Sequence, residues 1–206
     1  MSMETRWILG IDEAGRGPLA GPVAVGVVCV PSEFNWKKIP GVYDSKKLSE
    51  KKREEIFKVA KKLRRDKELD FAVSLVSAKI IDDIGIVSAI QRGIQQGIRR
   101  IVLRASDDYF LIHACVKLDG GLKAPRRFVN QEIIIRGDSK ERVIGLASIV
   151  AKVIRDRYMQ RISQNPEFST YAFTQHKGYG TKIHRQAIAK YGLSKEHRKT
   201  YCTKIT

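Results

Sequence analysis

Four acidic residues occupy positions from which a β-sheet could bring them together. Asp12 and Glu13 end an apolar, β-rich run and are followed at once by a glycine-rich stretch. Asp119 ends a second apolar run, and Asp138 lies between a third run and a long helical segment. Because functional sites in α/β sheets form at the ends of strands, we expect the four carboxylates to converge at one sheet edge.

Four neighbouring carboxylates indicate a site for divalent cations. The carboxylates repel one another and raise each other's pKa, and a bound Mg²⁺ or Mn²⁺ with its preference for oxygen ligands removes that penalty. With nucleic acid as the partner, such a cluster favours two-metal hydrolysis of a phosphodiester. The alternative is structural: an Asp at a strand end is usually a turn or cap residue. Asp138 in particular could be the N-cap of the helix that follows, with Ser139 as its competitor.

The charge of the chain indicates which partner to expect. The 206 residues include 39 Lys and Arg against 22 Asp and Glu, a net charge of +17, which favours nucleic acid or an anionic membrane. Residues 151–206 hold 12 of the basic and 3 of the acidic residues, with five of the seven tyrosines and three of the four histidines. Basic and aromatic side chains together suit a surface that binds phosphates and stacks on sugars or bases. A solvated helical cap is the alternative, and the sequence leaves both open.

Two features argue against a membrane and for the cytoplasm. No apolar run approaches the roughly 20 residues of a spanning helix, and the first residues lack the apolar stretch of a signal peptide. Cys29, Cys115 and Cys202 are odd in number, far apart and outside any CxxC pair. Cys29 and Cys115 lie in apolar runs, so we expect both to be buried, and we expect neither disulfides nor a zinc site, in a cytoplasmic protein.

The spacing of apolar residues predicts an α/β fold. Strands are predicted at 7–11, 23–30, 69–75, 111–118 and 131–136, the third of them half-exposed because apolar and polar residues alternate there. Helices are predicted at 49–63 with Ser49 as N-cap, at 77–104 and at 140–162. We predict one domain over residues 1–206, a mixed sheet flanked by helices, in which about 163–206 is a basic helical extension.

Several segments, taken together, resemble the ribonuclease HII family, the type 2 ribonucleases H. They include Asp12-Glu13-Ala14-Gly15-Arg16-Gly17 and occur in family order from about residue 7 to 201. The matching stretches are 10–23, 44–49, 118–120, 137–140, 147–156 and 177–181, followed by His197-Arg198. The resemblance implies a ribonuclease H-like mixed sheet with a C-terminal helical extension. It also implies that Asp12, Glu13, Asp119 and Asp138 are the metal-binding catalytic carboxylates.

The activity implied is that of an endoribonuclease that requires Mg²⁺ or Mn²⁺. It would hydrolyse the RNA strand of RNA–DNA hybrids and nick on the 5′ side of a ribonucleotide embedded in duplex DNA. The products would be a 3′-hydroxyl and a 5′-phosphate, as ribonucleotide removal from DNA requires. We expect hybrids and ribonucleotide-containing duplexes as partners, no membrane, and a monomer.

The resemblance also assigns residues that read the substrate. Gly15, Arg16 and Gly17 match a loop at the RNA-to-DNA junction, where glycines let backbone amides approach and Arg16 can bind phosphate with two hydrogen bonds. Tyr179 matches a tyrosine that packs on the deoxyribose after the ribonucleotide. The structural alternatives are a tight turn, a surface charge and core packing. Two further residues, Ser45 and Lys46, match phosphate contacts, whereas His184 lies near them in the family pattern without an assigned role.

Two rivals and one departure remain. Type 3 ribonucleases H carry a glycine–lysine–glycine-like loop and an extra N-terminal domain, and we expect neither here because Asp12 stands near the start. A non-catalytic nucleic-acid-binding protein is disfavoured because its carboxylates would only repel phosphates. Gly145 departs from the alanine- and serine-rich pattern of relatives, and it should weaken its helix by roughly 1 kcal/mol unless it permits close packing.

Overall fold

The computed structural model describes residues 6–43, 45, 47–105, 113–126, 128 and 130–205. Lys46, predicted to contact phosphate, lies outside these residues, as does the start of the predicted strand 111–118. The strands are β1 (Trp7–Ala14), β2 (Val23–Pro31), β3 (Asp70–Val76), β4 (Ala114–Asp119) and β5 (Gln131–Ile134). The helices are α1 (Glu50–Arg65), α2 (Ala78–Ala105), α3 (Gly137–Lys140), α4 (Arg142–Ser163), α5 (Phe173–His176), α6 (Lys182–Tyr191) and α7 (Lys199–Cys202).

The strands form one mixed sheet in the order β3-β2-β1-β4-β5. β1, β2 and β3 are antiparallel neighbours, whereas β4 runs parallel to β1 and β5 parallel to β4. The carboxyl ends of β1, β4 and β5 therefore lie at the same edge of the sheet. The prediction of a mixed sheet flanked by helices is confirmed.

Helices cover both faces of the sheet. On one face, Leu9 and Ile11 of β1 pack with the isoleucines of α2, and on the other Val28 and Val30 of β2 pack with α1 and α4. The prediction that β3 is half-exposed is wrong, because Phe71, Ala72 and Ser74 are all buried. Alternation of polar and apolar residues was misleading at Ser74, which lies beneath α2 although its buried hydroxyl has no hydrogen-bond partner among the described residues.

The helix predicted at 140–162 is confirmed as α4, but Asp138 lies in a separate short helix, α3, before it. Glu141 has an extended backbone between α3 and α4 (φ −117°, ψ 117°), and its carboxylate lies 3.1 Å from Lys117 Nζ on β4. Its amide closes α3 on the carbonyl of Gly137, and its carbonyl accepts the first bond of α4 from Gly145 N. The break lets α3 turn across the sheet edge while α4 runs along the sheet.

Gly145 permits the close packing that the sequence left open. A Cβ at this position would lie 1.8 Å from the carbonyl oxygen of Val42. Gly93 and Gly97 of α2 likewise lie against Val25 and Val27 of β2. Each helix therefore approaches its neighbour more closely than an alanine would allow.

The C-terminal segment consists of short helices around an aromatic cluster. A 3₁₀ helix (Pro166–Tyr171) and α5 bring Phe168, Tyr171 and Phe173 against Met159 of α4. The predicted boundary of an extension near residue 163 coincides with the end of α4, although the assignment of all residues to one domain stays a prediction. Within the described ranges, no helix is both long and apolar enough to cross a membrane.

Candidate active site

The register of the sheet places Asp12 and Asp119 side by side. Ile11 of β1 pairs with Leu118 of β4, and the two acids are the next residues on these parallel strands. Asp12 is buried, whereas Asp119 is partly buried at the end of β4. The strand-end argument from the sequence is thus confirmed for the position of this pair.

Asp138 reaches the same edge through α3. Gly137 N, directly before it, donates a 2.6 Å hydrogen bond to Oδ1 of Asp119. Asp138 is buried within the first turn, and the N-cap of α3 is Arg136, so neither Asp138 nor Ser139 is the cap. A left-handed backbone at Arg136 (φ 56°, ψ 46°) makes the sharp turn that sends the chain from β5 back across the edge.

The acids influence one another electrostatically. Burial, the neighbouring Glu13 carboxylate and Asp119 raise the pKa of Asp12 to about 8, against the opposing effect of a hydrogen bond from Ser148. Burial also raises the pKa of Glu13, and the cation of Arg16, 3.4 Å away, works in the other direction. A carboxylate pair in this state carries an unfavourable charge interaction that a cation would relieve.

The donor set suits a hard cation, but the side chains do not yet surround one position. Among the described residues, no three His, Cys, Asp or Glu side chains form a group that could hold an ion. The contacts give the reason: Asp119 is turned to the amide of Gly137, and Glu13 faces Arg16. Four carboxylates lie at this edge of the sheet; Asp12 and Asp138 are buried, and Glu13 and Asp119 are partly buried.

A hydroxyl pair lies behind Asp12. Ser148 of α4 hydrogen-bonds to Asp12, and the hydroxyls of Ser148 and Ser45 are 2.7 Å apart. Both serines are buried. The structure therefore places Ser45 behind the acidic edge of the sheet, and a direct contact of its hydroxyl with phosphate would require the side chain to turn outward. The predicted contact of Ser45 with nucleic acid stays a prediction.

The loop after β1 is folded around two buried arginines. Gly15 has a positive φ of 88°, and a Cβ there would lie 2.0 Å from Arg155 Nε, so only glycine fits. Arg198 donates to the carbonyls of Gly15 and Arg16 at 2.7 and 2.8 Å. The Arg16 side chain itself is exposed, and no neighbouring atom lies within 4 Å of a Cβ built on Gly17.

Tyr179 lies against this loop. The amides of Leu19 and Ala20 donate to the carbonyl of Gly178 at 2.9 and 3.2 Å. The ring of Tyr179 is 45 % exposed, and the guanidinium carbon of Arg155 lies 5.9 Å from its centroid. The structure therefore brings the predicted loop residues and the exposed Tyr179 together at one surface.

Three histidines of the tail are buried, contrary to a surface that interleaves basic and aromatic residues. Nδ1 of His184 lies 2.9 Å from the carbonyl of Tyr179, and its Nε2 lies 3.0 Å from Nε2 of His197. Gly178 N donates to His176 at 3.2 Å. Burial lowers the pKa of His184 and of His197 to about 4, so both are neutral at pH 7. His184, left without a role by the sequence, supports the backbone of Tyr179.

Sequence reasoning missed the roles of Ser148, Arg155 and Arg198. Each lies in a stretch that matches the family pattern, but nothing in the spacing distinguishes a buried arginine from a solvated one. For Arg155 a signal was available: it falls on the apolar side of α4, between Ala151 and Met159. Such a position predicts a buried charge that needs several acceptors.

Known structures define the class of this protein. The chain matches the ribonuclease HII of Archaeoglobus fulgidus, solved in complex with PCNA, at a TM-score of 0.69 and 26 % identity over 95 % of this chain and 94 % of that one. A ribonuclease H2 from Pyrococcus horikoshii OT3 matches at a TM-score of 0.64 and 24 % identity over 97 % and 96 %. The expected ribonuclease H-like fold is confirmed.

Sequence comparison identifies the family. The ribonuclease HII family model matches residues 9–205. Proteins named ribonuclease HII from Endomicrobium trichonymphae and Clostridioides difficile are 43 % and 42 % identical over 94 % and 97 % of this chain, and 84 % and 71 % of their own lengths. The chain belongs to the ribonuclease HII family. It is a metal-dependent endoribonuclease that cleaves the RNA strand of RNA–DNA hybrids.

Proposed function

We propose that this enzyme nicks duplex DNA on the 5′ side of an embedded ribonucleotide, using Asp12, Glu13, Asp119 and Asp138 to hold two divalent ions, Mg²⁺ or Mn²⁺. The products would be a 3′-hydroxyl and a 5′-phosphate. The observation that carries the proposal is the hydrogen bonding of the Gly178–Tyr179 turn to the loop after β1, because it joins a sugar-reading ring to the catalytic edge.

The four carboxylates suit this role through position and chemistry. Asp12 and Asp119 follow the last paired residues of the parallel strands β1 and β4, and the turn that carries Asp138 is bonded to Asp119. The chemistry that bound divalent ions would supply is activation of the attacking water and stabilisation of the departing 3′ oxygen. The protein's own contribution is to orient Asp12 through Ser148 and Asp119 through the Gly137 amide.

Substrate reading would use the loop and the tyrosine. The backbone amides of Arg16 and Gly17 can donate to a 2′-hydroxyl or phosphate, and the exposed Arg16 guanidinium can bind a phosphate. The flat ring of Tyr179 leaves room for a deoxyribose. The 2′-hydroxyl of a ribose would clash with the ring. Together they would select a ribonucleotide followed by a deoxyribonucleotide.

The deciding experiment maps the cut in a duplex that contains one ribonucleotide. The strand is labelled at its 5′ end and incubated with the full chain and Mg²⁺, Mn²⁺ or a chelator. We expect a single product that ends immediately 5′ of the ribonucleotide, carries a 3′-hydroxyl, and disappears with chelator. Cleavage of a continuous RNA–DNA hybrid without cleavage of this duplex would contradict the junction proposal while leaving the family activity intact.

We further propose that the enzyme removes ribonucleotides from DNA as a cytoplasmic monomer. Cys29 and Cys115 are buried in β2 and β4, which supports a reducing compartment. Size-exclusion chromatography with light scattering tests the monomer, for which the expected mass is 23.3 kDa. A stable mass twice as large would contradict it.

A further inference from the structure

Two buried arginines direct all their described hydrogen bonds to one loop. Arg198 donates to Gly15 O, Arg16 O and Gly21 O at 2.7, 2.8 and 3.0 Å. Arg155 donates to Pro22 O at 2.9 Å and to Ala20 O at 3.2 Å. These acceptors all lie between residues 15 and 22, although the donors come from α4 and from the start of α7.

This arrangement is costly for the fold alone. Both guanidiniums are fully buried, and within the described residues neither forms an ion pair with a carboxylate. Burial and the neighbouring Arg155 charge lower the pKa of Arg198 to about 10, and Arg155 Nη1 has no hydrogen-bond partner among the described residues. Because apolar side chains of similar volume would often stabilise a core at least as well, stability alone does not explain two buried arginines at this loop.

Peptide geometry supplies that reason. In a trans peptide the C=O and the following N–H point in opposite directions. Carbonyls of Gly15 and Arg16 that face inward to Arg198 therefore turn the amides of Arg16 and Gly17 outward. Neither amide donates to another described residue. Two free donors thus lie side by side on the surface that faces the substrate.

Arg155 connects this loop to Tyr179. Its Nε occupies the space that a side chain at Gly15 would need, and its guanidinium carbon lies 5.9 Å from the Tyr179 ring centroid. One rigid, planar group is therefore in contact with both elements that are proposed to read the junction. Its position fixes their separation.

We propose that Arg155 and Arg198 are positioning residues for junction recognition, which aim the Arg16 and Gly17 amides outward and fix their distance from Tyr179. The inference rests on the proposed function. It assigns the preference for a single ribonucleotide over a continuous RNA strand to two side chains that do not touch the substrate. Cleavage of a continuous hybrid depends less on this spacing, because it needs no deoxyribose against Tyr179.

The test changes the shape of each arginine side chain and keeps its positive charge. Arg198→Lys and Arg155→Lys retain a cation but lose the planar fork, since one ammonium cannot reach several carbonyls in this arrangement. The matched control is Arg157→Lys on the same helix α4, where the guanidinium is partly exposed and bonded to Glu54. For each full-length variant, kcat/KM is measured on a duplex with one ribonucleotide and on a continuous hybrid.

We expect the ratio of the two kcat/KM values to fall about tenfold or more in Arg198→Lys and Arg155→Lys, because a shift of about 1 Å in a positioning group has effects of this size or larger. The ratio should not change in Arg157→Lys. Equal losses on both substrates would mean that the arginines serve stability only and would overturn the proposal, as would unchanged rates.

Two further measurements cover other outcomes. If neither lysine variant folds, Tyr201→Phe removes only the 3.3 Å bond from its hydroxyl to Arg16 O, and we expect a fall in the ratio of roughly threefold. An unchanged ratio would then overturn the proposal.

If the wild type does not cut the single-ribonucleotide duplex, the proposed function fails separately. Hydrogen exchange at the Leu19 and Gly21 amides, compared with the amides of β2, then tests the positioning role: we expect faster exchange in Arg198→Lys at the loop amides alone, and an equal change in both sets would contradict it.

Discussion

Nδ1 of His184 lies 2.9 Å from the carbonyl oxygen of Tyr179, so a buried imidazole holds the backbone of an exposed ring. The tautomers follow from the partners. Ser194 N donates to Nδ1 of His197, so His197 donates through Nε2 to His184, which in turn donates through Nδ1 to Tyr179. These hydrogen bonds can all form only while both imidazole rings are neutral. The exposed side chain of Tyr179 is therefore free to bind substrate while its backbone is fixed.

Tyr179→Ala should lose the preference for a single embedded ribonucleotide. The substitution removes the ring but keeps the carbonyl that His184 binds, so the turn should stay in place. We expect kcat/KM on the single-ribonucleotide duplex to fall about tenfold or more, since base or sugar stacking on an aromatic ring is worth roughly 1–3 kcal/mol. Tyr179→Phe should retain most activity. Tyr191→Ala, at an equally exposed tyrosine on α6, is the control, and an equal loss there would refute a specific role for Tyr179.

Stability should fall as the pH decreases from about 6.5 to about 4. The pKa of His184 and His197 is lowered to about 4 by burial, whereas the unfolded chain takes up these protons near 6.5. The contribution of the two histidines to the free energy of unfolding is therefore complete above pH 6.5. It is lost as the pH falls towards 4, because the unfolded state then binds more protons than the folded state. Each histidine adds up to about 1.4 kcal/mol per pH unit to the slope.

The double variant His184→Asn/His197→Asn isolates this contribution. Asparagine can keep the hydrogen bonds made by the two Nδ1 atoms and does not titrate. Thermal unfolding followed between pH 7.5 and 4 should show a shallower decline than the wild type, even from a lower starting Tm. Parallel curves for the two proteins would show that the histidines do not cause the acid sensitivity.

Asp12→Asn should separate activity from stability. Asparagine preserves the shape of Asp12 but cannot become the anion that a divalent ion binds, an ionisation that burial, Glu13 and Asp119 already oppose. We expect cleavage to fall roughly a thousandfold, about 4 kcal/mol in activation free energy, because the ligand set loses an anion. The metal-free Tm should rise or stay unchanged, and its increase on adding Mg²⁺ should shrink.

The control for this substitution is Asp83→Asn, at an exposed carboxylate on α2 that pairs with Lys79. It should leave the cleavage rate and the Mg²⁺ effect on Tm unchanged. Full activity of Asp12→Asn with Mg²⁺ would remove Asp12 from the metal site.

Gly145→Ala should destabilise the protein although alanine favours helices. The new Cβ would meet the Val42 carbonyl at 1.8 Å, so α4 would have to move. We expect a loss of about 2 kcal/mol or more in the free energy of unfolding, as for other overpacked sites. Gly121→Ala, where a Cβ meets nothing within 4 Å, is the control. A raised Tm in Gly145→Ala would contradict the packing at Val42.

Local patterns in the sequence were enough for much of the fold. Ser49 is the N-cap of α1, where its hydroxyl accepts from Lys52 N, as predicted. Such features depend on a few adjacent residues and can be read directly. Glu141 shows the limit: nothing local marks it as a helix break, because the break is stabilised by Lys117 on a distant strand and by the close approach of Gly145 to Val42.

The sequence by itself predicted that Asp12, Glu13, Asp119 and Asp138 share one edge, because each stands at or just after the end of an apolar run, whereas the parallel pairing of β1, β4 and β5 comes from the structure. The sequence also determined the family, because the family's motifs are short segments that occur in this chain in the same order. Only the tertiary structure decided that Ser45 lies behind Asp12 through Ser148, and that His184 holds the backbone of Tyr179. Only the tertiary structure shows that Arg155 and Arg198 contact the Gly15–Gly17 loop from the interior of the protein. These side chains are buried by, and hydrogen-bonded to, residues that are far away in the chain. The local spacing of residues therefore cannot predict these contacts.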